Sequence, residues 1–300
     1  MKKLNILPEN PEEEKQGRFP SWLHRRLPKG GELFQTGALL EKYRLNTVCE
    51  EARCPNRLEC YGRKTATFLA LGKACTRSCG FCDIDFTKQP KAPEEDEPMR
   101  IALAVRDLGL KHAVITMVAR DDLPDGGASH MAEIVRAIRE RVPAVTVELL
   151  TSDFAGNFAA LDAVLEAHPE IFNHNIETVR ALTPKVRHKA TYDRTLSVLS
   201  YVKGSGKVEF VKSGIMVGLG ETEEEVKETI TDLKNAGCDI ITIGHYLQPS
   251  QYKLKVKAFV TPETFKAYED YGLSIGIKQV YSGPFVRSSY NAAEKYTNLF

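Results

Sequence analysis

No stretch of this 300-residue chain approaches the roughly 18 consecutive apolar residues that a membrane span requires. Nor is there an excess of one charge. Lys and Arg number 41 against 40 Asp and Glu, so total charge points to neither nucleic acid nor an anionic membrane, although local basic patches stay open. The opening segment MKKLNILPENPEEEKQGRFP lacks the apolar core of a signal peptide and holds too many acidic residues for a transit peptide. The expected compartment is the cytoplasm, where thiols stay reduced and clustered cysteines serve as metal ligands or catalysts rather than disulfides. With 42% hydrophobic residues the chain can bury the core of one large domain without such staples.

The cysteines themselves lack a fourth member. In KACTRSCGFCDID (73–85), Cys75, Cys79 and Cys82 are spaced C-x-x-x-C-x-x-C; in CEEARCPNRLEC (49–60), Cys49, Cys54 and Cys60 are spaced C-x-x-x-x-C-x-x-x-x-x-C. Structural zinc prefers four protein ligands, usually in paired C-x-x-C knuckles, and neither triplet has that spacing. Three thiolates instead suit a 4Fe-4S cluster with one iron left open to a substrate or cofactor. Cys238, far from the others and just past a helix stop, reads as a small core hydrophobe.

The first thirty residues, rich in Pro, Glu, Lys and Arg, read as a surface or disordered tail. From residue 65 onward, apolar runs at 65–72, 112–118, 144–150, 170–177, 211–220, 239–247 and 277–283 alternate with helical patterns. Between the second and third runs, Met131, Ile134, Val135, Ile138 and Val142 recur at helical spacing as one buried stripe. After the fifth run, Thr222 with Glu225 three residues on predicts a capping box, Val226, Ile230 and Leu233 a stripe, and Gly237 a stop. Strands alternating with helices imply right-handed βαβ units, a parallel sheet and, at this length, a complete or partial barrel. Loops after its strands would carry the chemistry, and the second cysteine triplet directly follows the first strand.

The C-x-x-x-C-x-aromatic-C pattern of Cys75, Cys79, Phe81 and Cys82 resembles the radical S-adenosylmethionine (SAM) superfamily. Together with CEEARCPNRLEC, AVITMVARDDLPDGGA, FNHNIETV, IMVGLGET, YLQPS and GPFVRSSY, it resembles the lipoyl synthase family within that superfamily, from residue 49 to residue 290. The resemblance implies a partial (β/α)6-type parallel barrel of the radical SAM kind at 63–284. An N-terminal extension at 1–62 and a tail with the RSSY motif at 285–300 would close over its mouth. It implies two 4Fe-4S clusters. The Cys75, Cys79, Cys82 cluster would be open because SAM completes it and is cleaved there to a 5′-deoxyadenosyl radical. The Cys49, Cys54, Cys60 cluster would be auxiliary, with Ser288 or, preferably, Ser289 as fourth ligand, and would be consumed as the sulfur source. Two successive radicals would abstract hydrogens from C6 and C8 of an octanoyl chain on a lysine of a lipoyl-carrier domain. Implied partners are 2-oxoacid dehydrogenase E2 subunits and the glycine cleavage H protein as carriers, a flavodoxin or ferredoxin-type reductant, and an iron-sulfur carrier that rebuilds the cluster. A different two-cluster radical enzyme would not explain the upstream triplet together with RSSY, and a non-catalytic electron carrier would yield no 5′-deoxyadenosine.

Other positions are candidate cofactor contacts. Asp121, in a loop after the second strand, is placed to accept from the SAM ammonium; the plain alternative is a solvated turn. Asn175 and Glu177 are candidates for ribose or methionine groups, and His174 between them reads as a packed histidine. Arg187 suits bidentate pairing with the methionine carboxylate, or is a helix-surface charge. Phe81 either packs on adenine or shields the iron.

Because each triplet can hold one cluster, anaerobically reconstituted protein is expected to carry about eight irons per chain. Replacing Cys75, Cys79 and Cys82 together by Ala should leave about four and abolish SAM cleavage. Retained cleavage in that variant would refute the assignment.

Overall fold

The structure, a computed structural model, describes residues 20–24 and 32–292. Of the expected N-terminal tail only 20–24 fall among them, a short turn whose Leu23 is buried rather than surface-laid. Three helices then precede the barrel: α1 (Glu32–Lys42), α2 (Val48–Glu51) and α3 (Arg57–Gly62). Leu40, Cys49 and Tyr61 belong to the same hydrophobic cluster as the barrel residues, so extension and barrel share one core.

All seven expected runs form strands. A short strand that the sequence did not announce, β1 (Asn46–Thr47), pairs antiparallel with β2 (Thr67–Ala70). A separate parallel pair, β3 (Ala74–Cys75) with β4 (Asp85–Phe86), clips together the loop that follows β2. β5 (His112–Met117), β6 (Thr146–Leu150), β7 (Ile171–Asn173), β8 (Phe210–Val217), β9 (Ile240–His245) and β10 (Gln279–Gly283) complete a sheet ordered β1-β2-β5-β6-β7-β8-β9-β10. Every pairing from β2 onward is parallel and joins strands consecutive in that order. Among the described residues β1 and β10 do not pair, so the barrel is open on one side.

Helices α4 (Glu97–Leu108), α5 (Ala128–Arg141), α6 (Phe158–Leu165), α8 (Tyr192–Ser205), α9 (Glu223–Asn235) and α10 (Pro262–Ser274) follow the strands; α7 (Thr183–Val186) is a single turn in the loop after β7. This gives six strand-helix units and a seventh parallel strand. In α5, Met131, Ile134, Val135 and Ile138 are all fully buried, while Val142 caps the helix and is half-buried. The capping box is present. Thr222 Oγ1 accepts from the Glu225 amide at 3.2 Å, and Glu225 Oε2 accepts from the Thr222 amide at 2.8 Å. Gly237, just past α9, takes φ +89°, a left-handed conformation that costs other residues more.

The barrel interior is polar at its centre. Lys212 on β8, fully buried, donates to Glu148 Oε1 and Oε2 on β6 at 2.8 and 3.1 Å. Asn173 on β7 donates to Glu148 Oε1 at 2.9 Å, and His112 Nε2 on β5 lies 3.4 Å from Glu148 Oε2. Burial pushes the Glu148 carboxyl up, but Lys212 and then His112 pull it down to about 2.

Lys212→Met strands that carboxylate and is expected to cost about 3–5 kcal/mol in urea unfolding at neutral pH. Adding Glu148→Gln should recover most of the loss. The folded Glu148 titrates below a free glutamate, near 4.3. Its contribution is therefore fully present above about pH 5 and disappears as pH falls towards about 2. The stability gap between wild type and Glu148→Gln should close over that window; a gap constant from about pH 5 downward would contradict the assignment.

Candidate active site

A cavity of about 840 Å³ is lined by the ends of the strands, the α2–α3 segment and the C-terminal tail. All six clustered cysteines line it, as do Phe81, Asn175, Glu177, Arg187, Ser288 and Ser289. Asp121 does not. Cys238 is buried elsewhere in the core and burial pushes its thiol up, which fits the expected small hydrophobe.

The Cys75–Cys82 loop is pinned at nearly every residue. Thr76 donates twice to the Ala119 carbonyl, through its amide and its Oγ1, both at 3.0 Å. The Asp121 amide donates back to Thr76 Oγ1 at 3.0 Å, and the Arg77 amide donates to Cys75 Sγ at 3.3 Å. Arg77, between two candidate ligands, is buried and grips two carboxylates. Nε lies 3.1 and 2.9 Å from the two Asp121 oxygens, Nη2 2.6 Å from Asp121 Oδ1, and Nη1 2.7 Å from Asp153 Oδ1. Asp153 is fully buried; burial raises its carboxyl, yet Arg77 and then His174 bring it to about 2. Asp121 is thus engaged by Arg77 instead of standing free in a solvated turn. Sequence reasoning missed Arg77, whose one signal was its place inside CTRSC.

The other triplet faces this loop. Cys49 lies in α2 and Cys60 in α3, with Cys54 in the turn between them. Arg53 in that turn pairs with Asp83 at 3.0 Å, directly after Cys82. The tail then spans both sides. Asn56 Nδ2 donates to the Phe285 carbonyl and Tyr290 Oη to Glu59, each at 2.8 Å. Ser288 Oγ donates to Asn175 Oδ1 at 2.8 Å, and Lys212 donates to the Ser288 carbonyl at 2.5 Å. The Ser289 hydroxyl makes no hydrogen bond among the described residues. Glycines give the tail room: a Cβ at Gly244 would meet the Val286 carbonyl oxygen at 2.1 Å, and one at Gly214 would meet Ser288 Oγ at 2.8 Å.

Burial, helped by other cysteines of the same triplet, pushes the thiols of Cys49 and Cys82 up to about 12 and those of Cys60 and Cys79 up to about 11. Thiolates held this close in an apolar wall need strong positive charge beside them, as iron supplies. Among the described residues no three His, Cys, Asp or Glu converge on a single ion position. Two sets of three cysteines lining one cavity suit thiolate-ligated 4Fe-4S clusters, whose ligands sit on separate irons.

Across the cavity, Arg187 is buried, which excludes the helix-surface alternative. It donates to the Asn175 carbonyl at 2.5 Å and to Thr195 Oγ1 at 3.3 Å, and it lowers the nearby Cys79 thiol against burial. Asn175 Nδ2 donates to Glu177 Oε1 at 3.2 Å. Glu177 is held at φ +68°, and burial raises its carboxyl despite Arg187. His174 is packed, with Nδ1 2.9 Å from the Thr151 carbonyl and Nε2 3.1 Å from Thr195 Oγ1; burial and then Arg187 lower it to about 4. Phe81 packs against Val186, Leu219 and Tyr246.

The sequence profile of the radical SAM superfamily matches residues 69–244. A lipoyl synthase from Protochlamydia amoebophila is 64% identical over 299 residues, covering 97% of this chain and 92% of that protein. One from Chlamydia trachomatis serovar D is 54% identical over 282 residues, covering 94% and 90%. Among solved structures, Streptococcus suis SuiB bound to S-adenosylmethionine matches with a TM-score of 0.56 at 13% identity, covering 71% of this chain and 49% of that one. Methylornithine synthase (PylB) matches at 0.52 and 14%, covering 88% and 85%. At these identities the two structures share the fold.

Arg77→Lys keeps a positive charge but cannot bridge Asp121 and Asp153. SAM cleavage is expected to fall about 10- to 100-fold, while Arg136→Lys on the exposed face of α5 should leave it unchanged. Equal rates in both variants would remove the clamp from the site.

Proposed function

The chain belongs to the lipoyl synthase family of the radical SAM superfamily, and from that membership we propose how its residues carry out the reaction, the insertion of two sulfur atoms at C6 and C8 of an octanoyl chain borne on a lysine of a lipoyl-carrier domain. The observation that carries the reading is that both cysteine triplets and the RSSY tail line one cavity. When bound, SAM with the open 4Fe-4S cluster supplies the oxidising radical chemistry, and the auxiliary 4Fe-4S cluster supplies the sulfur.

Cys75, Cys79 and Cys82 hold the open cluster, and Arg77 positions their loop. Cys49, Cys54, Cys60 and Ser289 hold the auxiliary one. Ser289 is preferred over Ser288 because the Ser288 hydroxyl is already committed to Asn175. Arg187, Asn175 and Glu177 receive the polar end of SAM, and Phe81 flanks its adenine. Asp121 acts through Arg77, not by touching SAM, a revision of the expectation from sequence. Leu69, Val114, Leu150 and Ile215 on the cavity wall suit an aliphatic chain and exclude water from it. The carriers are E2 subunits and the H protein, the reductant a flavodoxin or ferredoxin-type protein, and an iron-sulfur carrier restores the spent cluster. No helix among the described residues is long and apolar enough to cross a membrane, and we place the reaction in the cytoplasm.

Mass spectrometry of an octanoylated lipoyl-domain peptide, incubated anaerobically with SAM and reductant, should show two sulfurs added by wild type. With Cys49, Cys54 and Cys60 replaced by Ala, SAM cleavage should continue without dithiolated product. Ser289→Cys should retain about eight irons yet suppress sulfur transfer, since thiolate holds iron more firmly than alkoxide; Ser288→Ala should matter less. Unchanged yield from single substitutions at both serines would remove the tail from the cluster.

A further inference from the structure

The reaction requires a folded protein to bring its acylated lysine to the cavity, and the segment between β9 and α10 stands where that protein must approach. Leu247, Gln248 and Pro249 line the cavity. Beyond them, Tyr252-Lys-Leu-Lys-Val-Lys257 alternates with period two. Leu254 and Val256 pack inward against the cluster of Val186, Leu219 and Tyr246, whereas Lys255 and Lys257 are exposed and Lys253 half-exposed. Past the bend at Tyr252–Lys253 this alternation turns Lys255 and Lys257 to solvent, with Lys253 beside them at the bend.

The strap is fixed from beneath. The Leu254 amide donates to the Gly80 carbonyl at 3.0 Å and the Lys257 amide to the Gly218 carbonyl at 2.8 Å. Tyr246 Oη donates to the Leu254 carbonyl at 2.7 Å, and Ser250 Oγ to Asp83 at 2.8 Å. At its tip Tyr252 is 86% exposed, more than any other large hydrophobic residue described. No Asp or Glu occurs from 246 to 258, although the whole chain balances 41 basic against 40 acidic residues. Nor does any of the three lysines form an ion pair among the described residues. A rigid, wholly basic ridge crowned by an exposed aromatic, beside the entrance to an active site, has the make-up of a steering surface with an anchoring side chain.

We propose that the strap 246–258 is the docking surface for the octanoyl-bearing carrier, and that the carrier's face around its acylated lysine is acidic. The inference rests on the function proposed above and adds to it the chemistry of the contact. Opposed charge sets orientation and on-rate, and Tyr252 supplies the apolar anchor.

The test measures the Kd of octanoylated H protein for the SAM-loaded holoenzyme at low and at physiological salt. K253E/K255E/K257E should raise Kd about tenfold or more at low salt and flatten its salt dependence, and Y252A should raise it at both salts. An H protein whose carboxylates flanking the lysine are changed to lysine should bind the triple variant better than wild type. Iron content equal to wild type certifies that the variant is folded. A Kd within twofold of wild type in such iron-replete protein overturns the proposal, as does wild-type binding of duplex DNA as tight as that of the carrier. Carrier binding that depends on the strap without any dithiolated product would leave the docking surface standing and count against the proposed function. Dithiolation with strap-independent binding would do the reverse.

Discussion

The ammonium group of Lys212 reaches from β8 to both oxygens of Glu148 on β6 and to the carbonyl of Ser288 in the tail. An ion so far from solvent costs several kcal/mol unless its partners are complete. The partners come from strands brought together only by the full parallel register, with Asn173 and His112 adding contacts from β7 and β5. The same group that holds the strands also fixes the residue before Ser289. Strand assembly and placement of the tail are therefore coupled through one ammonium group.

Around that centre the two triplets are assembled by different means. Cys75, Cys79 and Cys82 sit on a loop whose backbone is fastened to neighbouring loops and whose Arg77 ties it to the ends of β5 and β6. Cys49, Cys54 and Cys60 depend on short helices that share the barrel's core and on a tail arriving from the other end of the sequence. On the proposed assignment, the firm side would serve repeated radical generation, and the side held by a few tail contacts would suit a cluster that is taken apart and replaced. Between them, Ser288, Asn175, Glu177 and Arg187 form a continuous chain of polar contacts.

Strands buried on both faces and helices with a single apolar stripe were legible because their periodicity is local: all six residues of β5 are buried, and the α5 stripe falls where spacing put it. The cysteines stood out as two triplets by spacing alone, and both line one cavity. What spacing does not encode is which distant group meets which. Arg77 finds Asp121 and Asp153 only through the succession of β5 and β6, so Asp121 read as a free acceptor. Arg187 looked equally suited to a helix surface because α7 is too short to show a face. β1 and the β3–β4 clip, two residues per strand, leave no period to detect.

Residues 285–291 also impose an order in time. They form one wall of the cavity and are synthesised more than two hundred residues after Cys60. At about 5–20 residues per second, a nascent chain would carry its first thiol triplet without that wall for roughly 10 to 50 seconds. During that interval the triplet is open to oxygen, to stray metal ions and to mixed disulfides. A ribosome stalled late in the message would release a chain whose cavity lacks one side and whose Lys212 lacks the Ser288 carbonyl.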